Sequence, residues 1–235
     1  MKYRNLMVLC LMTLLVIAGC AKTKVTEREQ VATGKLPRPA HIWVYDFAAT
    51  PEDLPVKDML GKEYFASTAP QTAAHIAEGR KLGAEILTEL VYELRGMGLS
   101  ADHAVAGTKP QLNDLVIQGY VLSYDEGDKE KRIGLGLGSG ASHLKAAVEG
   151  LQMTNNGLRV IGSGSTASGS NKTPGMAVGL ATLIATHNPA GLIVSTGLKV
   201  YDEKSGKSTV EGRAKQTAKE IADQLKKKFQ EHGWI

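Results

Sequence analysis

The stretch 114–142, DLVIQGYVLSYDEGDKEKRIGLGLGSGAS, decides the fold. Its first eleven residues are rich in Val, Leu, Ile and Tyr and read as a strand. Asp125-Glu126-Gly127-Asp128 turns the chain, and the basic cluster Lys129, Lys131 and Arg132 follows. Gly134, Gly136, Gly138 and Gly140 then fall at every second position, so an extended backbone carries all four on one face. Such a face is flat and open to another backbone or a bulky partner, which makes these four glycines candidate contact residues.

Working outward, 41–49 (HIWVYDFAA) reads as a second strand. Ile42 and Val44 face one side and Trp43, Tyr45 and Phe47 the other, the pattern of an interior strand covered on both faces. A Pro-containing loop, 50–69, leads to a helix over 71–97, with Ile76, Gly83, Leu87, Leu90, Val91 and Leu94 as its stripe and Gly98 as its stop. Gly79 and Gly83 lie four apart among Glu78, Arg80, Lys81 and Glu85, which suits close packing on a sheet rather than helix pairing in a membrane. Residues 143–153 fit helix and strand periods equally well. A short strand is expected over 159–161, a helix over 176–186, a strand over 192–201 and a hairpin turn over 202–206. A last helix, about 212–231, has Ala218, Ile221, Ala222, Leu225 and Phe229 as its apolar stripe. The fold class expected is α/β (α+β): a single mixed, mostly antiparallel sheet packed with two long helices.

The chain has 235 residues, 43% hydrophobic and 22% charged, which excludes wholesale disorder and a multi-spanning membrane protein. A formal net charge of +4 is too small to argue for a nucleic-acid partner. Lys2 and Arg4 start the chain, and 6–18 form an apolar run with one polar member, Thr13. That run is too short for the roughly 20 residues of a spanning helix and has the form of a signal-peptide core. It ends at Ile17-Ala18-Gly19-Cys20, where the small Ala18 and Gly19 suit a peptidase cleft and the Cys20 thiol can carry lipid. These four residues resemble the lipobox of bacterial lipoproteins, with Ile17 where Leu is usual.

Cys10 and Cys20 are the only cysteines. Cleavage before Cys20 removes one and lipid consumes the other, so the mature chain is expected to hold no disulfide and no thiolate metal site. Three acyl chains, as lipoproteins of this type carry, give stable anchoring where one gives marginal binding. Ala21, rather than Asp, after the lipidated cysteine resembles the enterobacterial signal for outer-membrane sorting. Residues 21–40 have no apolar periodicity and end in Pro37-Arg38-Pro39; as a flexible tether they reach about 25 Å on average and about 65 Å stretched. The organisation expected is therefore a signal peptide over 1–19, a lipidated Cys20 with its tether over 20–40, and a periplasmic domain over 41–235.

Motifs for chemistry are weak. Gly136, Gly138, Ala141 and Gly162, Gly164, Ala167 imitate dinucleotide fingerprints, but no Asp or Glu occurs over 150–201 to take the ribose. Gly206-Lys207-Ser208 lacks the first glycine of a phosphate loop, Tyr201 standing in its place. The six histidines show no ligand-spaced pair, Asp46 reads as a loop or cap residue, and no G-x-S-x-G elbow is present. No catalytic residue, metal site or cofactor is expected. The acid-free segment 150–201 reads as small-residue core, with an interface as its alternative.

The lipobox, VYDFA, LVYELRGMGL, the stretch 115–142 and the ending AKEIADQLKKKFQEHGWI together resemble the bacterial lipoproteins grouped as domain of unknown function 4410. Leu135 and Leu137 stand where that family often has an aromatic. The order of elements is also loosely similar to that of the curli-secretion channel lipoprotein and of penicillin-binding-protein activator lipoproteins. The resemblance implies an outer-membrane, palmitate-bearing lipoprotein facing the periplasm. An anchor and tether with no catalytic constellation lead one to expect a non-enzymatic accessory that binds a protein partner, or a second copy of itself, or supports an envelope assembly. The alternatives are a subunit of an oligomeric secretion channel and an envelope hydrolase.

Overall fold

The computed structural model describes residues 24–30, 35–55, 71–127, 142–169 and 209–235. Six strands form one sheet: β1 (Lys24–Gln30), β2 (Ile42–Val44), β3 (Ala101–His103), β4 (Leu115–Asp125), β5 (His143–Thr154) and β6 (Gly157–Ser168). Among the described residues two long helices, α1 (Ala73–Gly96) and α2 (Val210–His232), and a short 3-10 turn at Pro51–Asp53 accompany it. The strand order is β1-β6-β5-β4-β2-β3. β2 runs parallel to β3 and β4, while the β4–β5, β5–β6 and β6–β1 pairs are antiparallel. The sheet is thus mixed and mostly antiparallel, with two long helices, as the sequence leads one to expect.

β4 shows how the sheet divides. Leu115, Ile117 and Val121 belong to the main core with Ile42, Val44, Leu144 and Ala146. Leu82, Ile86, Leu90 and Leu94 of α1 and Ala218, Ile221 and Phe229 of α2 meet them there. Tyr120 joins Ala48, Leu54 and Ala147 in a smaller cluster, and Gln118 donates to the Glu149 carboxylate at 2.8 Å in a buried pair. The helix caps follow the sequence. Thr72 and Thr209 accept the N–H groups of His75 and Gly212, each at 3.2 Å. Gly98 and Gly233 end the helices in the left-handed region, at φ 78° and 74°. The two helices run side by side in the same direction, since Lys81 meets Glu211, Glu85 meets Lys215, and Glu89 and Glu93 meet Lys219.

Several expectations change. Residues 24–30 do not hang free as part of a tether; Lys24–Gln30 add an edge strand, pairing from Lys24↔Ala167 to Gln30↔Gly162. Main-chain hydrogen bonds recruit this segment, which is why its polar sequence gave no periodic signal. The end of the supposed tether is also docked, because the Trp234 indole N–H donates to the Leu36 carbonyl at 3.0 Å. The ambiguous 143–153 is a strand, and the short strand at 159–161 is one stretch of the twelve-residue β6. The 41–49 strand shortens to Ile42–Val44, with an isolated bridge from Ala48 to Tyr120. β2 is interior in the sheet order, but Trp43 and Tyr45 are only half-buried, so one of its faces is incompletely covered. The expected elements over 176–186, 192–201 and 202–206 lie outside the described residues.

Phe47 explains why α1 carries glycines. Its backbone lies under Gly83, where an added Cβ would stand 2.0 Å from the Phe47 carbonyl oxygen, and its ring lies over Gly119, where a Cβ would stand 2.2 Å from Cε1. Nearby, Asp53 accepts the N–H groups of Ala49 and Thr50 at 3.2 and 3.1 Å and three hydrogen bonds from Arg80, two of them from a shared Nε–H. Burial pushes its carboxyl pKa up, but the Arg80 and backbone hydrogen bonds outweigh this and hold it below the ordinary value.

Candidate functional site

Two places among the described residues merit attention. The first is an apolar cavity of about 140 Å³ between the sheet and the C-terminal half of α2. Ile117, Val148 and Ile161 form its floor, Leu225 and Phe229 its roof, and Val25 and Trp234 line it as well. Gln224, Lys228 and His232 supply its polar edge. His232 is engaged, its Nδ1 accepting the Leu36 N–H at 3.3 Å and its ring stacking on Trp234 at 5.2 Å. Lys228 forms an ion pair with Glu231.

Glycines make this space. Gly150 pairs with Ile117 on one side and Gly162 on the other, and Gly164 pairs with Val148. Ile117 and Val148 face the helices, so these glycines turn the same way and place no side chain beneath α2. The space opens to the surface beside its polar edge, so it is a cleft rather than a sealed void. The pattern Gly162, Gly164, Ala167, which imitates a dinucleotide fingerprint, lies within antiparallel β6 rather than in a strand-to-helix loop. It cannot cradle a pyrophosphate there.

The second place is a polar row at the start of β2 and β3. Ser100 Oγ lies 2.8 Å from His41 Nδ1, and His41 Nε2 lies 3.0 Å from Asp102 Oδ2. The order serine, imidazole, carboxylate is that of acyl-transfer enzymes. Its surroundings are different. The Asp102 side chain is 46% exposed and ion-paired with Arg95, which also donates to the Ala101 carbonyl at 2.7 Å. The nearby N–H groups are engaged as well: Ile42 N–H donates to Ser100 O at 2.9 Å and His41 N–H to Asp114 Oδ1 at 3.1 Å. No donor pair is thereby left beside Ser100 from these two to stabilise an oxyanion. Buried Asp114 also accepts from the Trp43 indole and the Gln111 N–H. The row and Asp114 together clasp the entry ends of the parallel strands.

Cys20 and the glycines Gly134, Gly136, Gly138 and Gly140 lie outside the described residues. Asp46 pairs with His103 Nε2 at 3.1 Å across the opposite ends of β2 and β3, both side chains about half-exposed. Among the described residues, no group of three or more His, Cys, Asp or Glu is arranged to hold a metal ion, and no helix is long and apolar enough to cross a membrane. The cavity escaped the sequence reading because its walls come from segments far apart in the chain. The signal was nevertheless present in the alternating glycines of β6, the same pattern that draws attention to the run 134–140.

The sheet with two helices on one face defines a small α+β domain whose central strands bury the core. The chain belongs to the family described as Domain of unknown function (DUF4410), whose model matches residues 42–187. No curated protein matches it in sequence. Among solved structures, the PelC dodecamer from Paraburkholderia phytofirmans is similar at 14% identity over 64% of this chain and 86% of that one, with a TM-score of 0.36. A PDZ domain protein from Parabacteroides distasonis is similar at 11% identity over 72% of this chain and 36% of that one, with a TM-score of 0.32.

Proposed function

We propose that this protein is an outer-membrane lipoprotein, anchored through acyl chains on Cys20, that faces the periplasm and acts by holding a partner rather than by catalysis. One observation carries the reading: a basic start, an apolar run over 6–18 and the small pair Ala18-Gly19 lead directly to Cys20. The engaged carboxylate and amides around Ser100 support a non-enzymatic role. The glycine run 134–140 is the proposed contact surface for a protein partner or a second copy of the chain.

The anchor is tested by fractionation and labelled palmitate. Wild-type protein incorporates the label and sediments with the outer membrane, and Cys20→Ser does neither. A Cys20→Ser protein that stays in the membrane fraction rejects the anchor. Crosslinked partner capture should fall with Gly138→Trp; undiminished capture removes that run as the surface. Ser100→Ala leaves hydrolysis of a p-nitrophenyl ester at the wild-type level. Loss of a measurable wild-type rate in this variant would instead establish the hydrolase.

A further inference from the structure

We propose that the cavity beneath α2 takes one acyl chain of an anionic glycerolipid from the leaflet in which the protein is anchored. The inference rests on the Cys20 anchor and adds a ligand site to it. Cys20 precedes Lys24, the first residue of β1, by four positions. A fully extended chain covers at most about 14 Å in that distance. The edge of the sheet is therefore held near the bilayer surface, not a long tether's length away. β1 is also a wall of the cavity: Val25 lines it beside the stretch Gly162–Thr166 of β6 with which β1 pairs. An apolar space thus opens next to the strand that the anchor holds closest to the membrane.

Chemistry narrows the occupant. The interior walls are aliphatic and aromatic, with Ile117, Val148, Ile161, Leu225, Phe229 and Trp234, while Gln224, Lys228 and His232 stand at the edge, an arrangement that suits hydrocarbon inside and a polar headgroup outside. The space is comparable to an engineered cavity of about 150 Å³ that binds benzene. It therefore accommodates the end of an acyl chain, and the remainder leaves through the mouth. Lys228 lies at the cavity edge, and Lys226 and Lys227 precede it in the same turn of α2. Basic residues next to a membrane attract anionic headgroups.

Trp234 reports occupancy. It lines the cavity and is 5% exposed, and Trp43 is the only other tryptophan. The lipidated full-length protein bearing Trp43→Phe is reconstituted in phosphatidylglycerol–phosphatidylethanolamine vesicles, with plain or brominated acyl chains. Brominated chains should quench Trp234 emission. Gly150→Leu, which fills the space from its floor, should restore the emission without removing the protein from the vesicles. Gly150 tolerates the first side-chain carbon, since a Cβ there comes no closer than 3.7 Å to Ile161 Cγ1. Circular dichroism checks that the variant is folded, and Val148→Phe is the second filling variant. Absence of quenching in protein that floats with the vesicles overturns the proposal, as does quenching that neither filling variant relieves. Protein that fails to float rejects the anchor instead, a separate outcome.

Discussion

Replacing Gly83 by Ala adds one methyl group at the tightest helix contact in the domain. The new carbon would stand 2.0 Å from the Phe47 carbonyl oxygen and 3.0 Å from its carbonyl carbon. Favourable contacts lie at about 3.5–4.0 Å, so the two backbones must part by more than about 1 Å. The Phe47 side cannot yield easily. Tyr45 N–H donates to Ile117 O at 2.9 Å, Ala48 N–H to Gly119 O at 2.8 Å, and Val121 N–H to Ala48 O at 2.8 Å. α1 must therefore move, lifting Leu82, Ile86 and Leu87 from the core. Overpacking costs about 1–3 kcal/mol, and a contact between two backbones belongs at the upper end. The gain from replacing a helical glycine by alanine returns about 1 kcal/mol. The net loss is about 2 kcal/mol, and a chain of this size should lose about 4–8 °C in melting midpoint.

The assay is thermal and urea unfolding followed by circular dichroism, with Gly96→Ala as the control. Gly96 closes the same helix, and nothing lies within 4 Å of a Cβ added there. That variant should hold its midpoint or gain up to about 1 kcal/mol. If Gly83→Ala melts at or above the wild type, or if the two variants shift together, the close approach of α1 to Phe47 is wrong.

Two further predictions concern acid. Burial holds the His143 pKa below its ordinary 6.5, against the pull of Asp125 and with help from Arg213 and Lys145. The unfolded chain then binds the proton more readily, so stability is present above the ordinary histidine range and falls as pH drops through it. Urea midpoints measured between pH 7.5 and 5 should fall less in His143→Gln than in the wild type; parallel curves would reject the assignment. Asp53 is depressed below its ordinary 3.8, so its contribution is present above that value and is lost as pH falls below it. Asp53→Asn should lower the urea midpoint at pH 7 and flatten the acid limb below about pH 4, and an unchanged midpoint would remove the Arg80 clamp.

How far the sequence could be read depends on what holds each element. β4 and α2 were legible because side-chain periodicity and burial coincide in them: Leu115, Ile117 and Val121 face one core, and Ala218, Ile221 and Phe229 close it. β5 was ambiguous because Leu144, Ala146 and Val148 fit a strand while Leu144, Val148 and Leu151 fit a helix, and only pairing with β4 and β6 decides between them. β1 was missed because edge pairing is a property of the backbone and leaves little trace in KVTEREQ. Within α1 the reading found Leu87, Leu90, Val91 and Leu94 but omitted Leu82 and Ile86, both fully buried, since a helix pressed between a sheet and a second helix buries a wider arc than one stripe. The proposed lipidation of Cys20 is the reverse case, a reading carried entirely by local sequence. The clasp of His41, Ser100, Asp102 and Asp114 joins residues up to 73 positions apart, which no local pattern encodes.

Glycine serves two opposite purposes in this domain, and substitution by alanine separates them. Gly83 and Gly119 are sites where a neighbour, Phe47, already occupies the place of a side chain. Gly150 is a site where nothing does: its nearest contacts would be Ile161 Cγ1 at 3.7 Å and the Gly162 carbonyl oxygen at 3.8 Å, both ordinary separations. An interior strand glycine with room above it weakens the strand, because it loses more backbone freedom on folding than alanine and packs nothing. Gly150→Ala should therefore raise the unfolding midpoint by the equivalent of about 0.5–1 kcal/mol. In an empty cavity that gain is the whole effect. In a lipid-filled cavity the methyl competes with the occupant, and the gain shrinks when unfolding is measured in vesicles rather than with Cys20→Ser protein in buffer. A loss of stability in buffer would mean that the floor of the cavity is already packed, and both the open space and its proposed ligand would have to be abandoned.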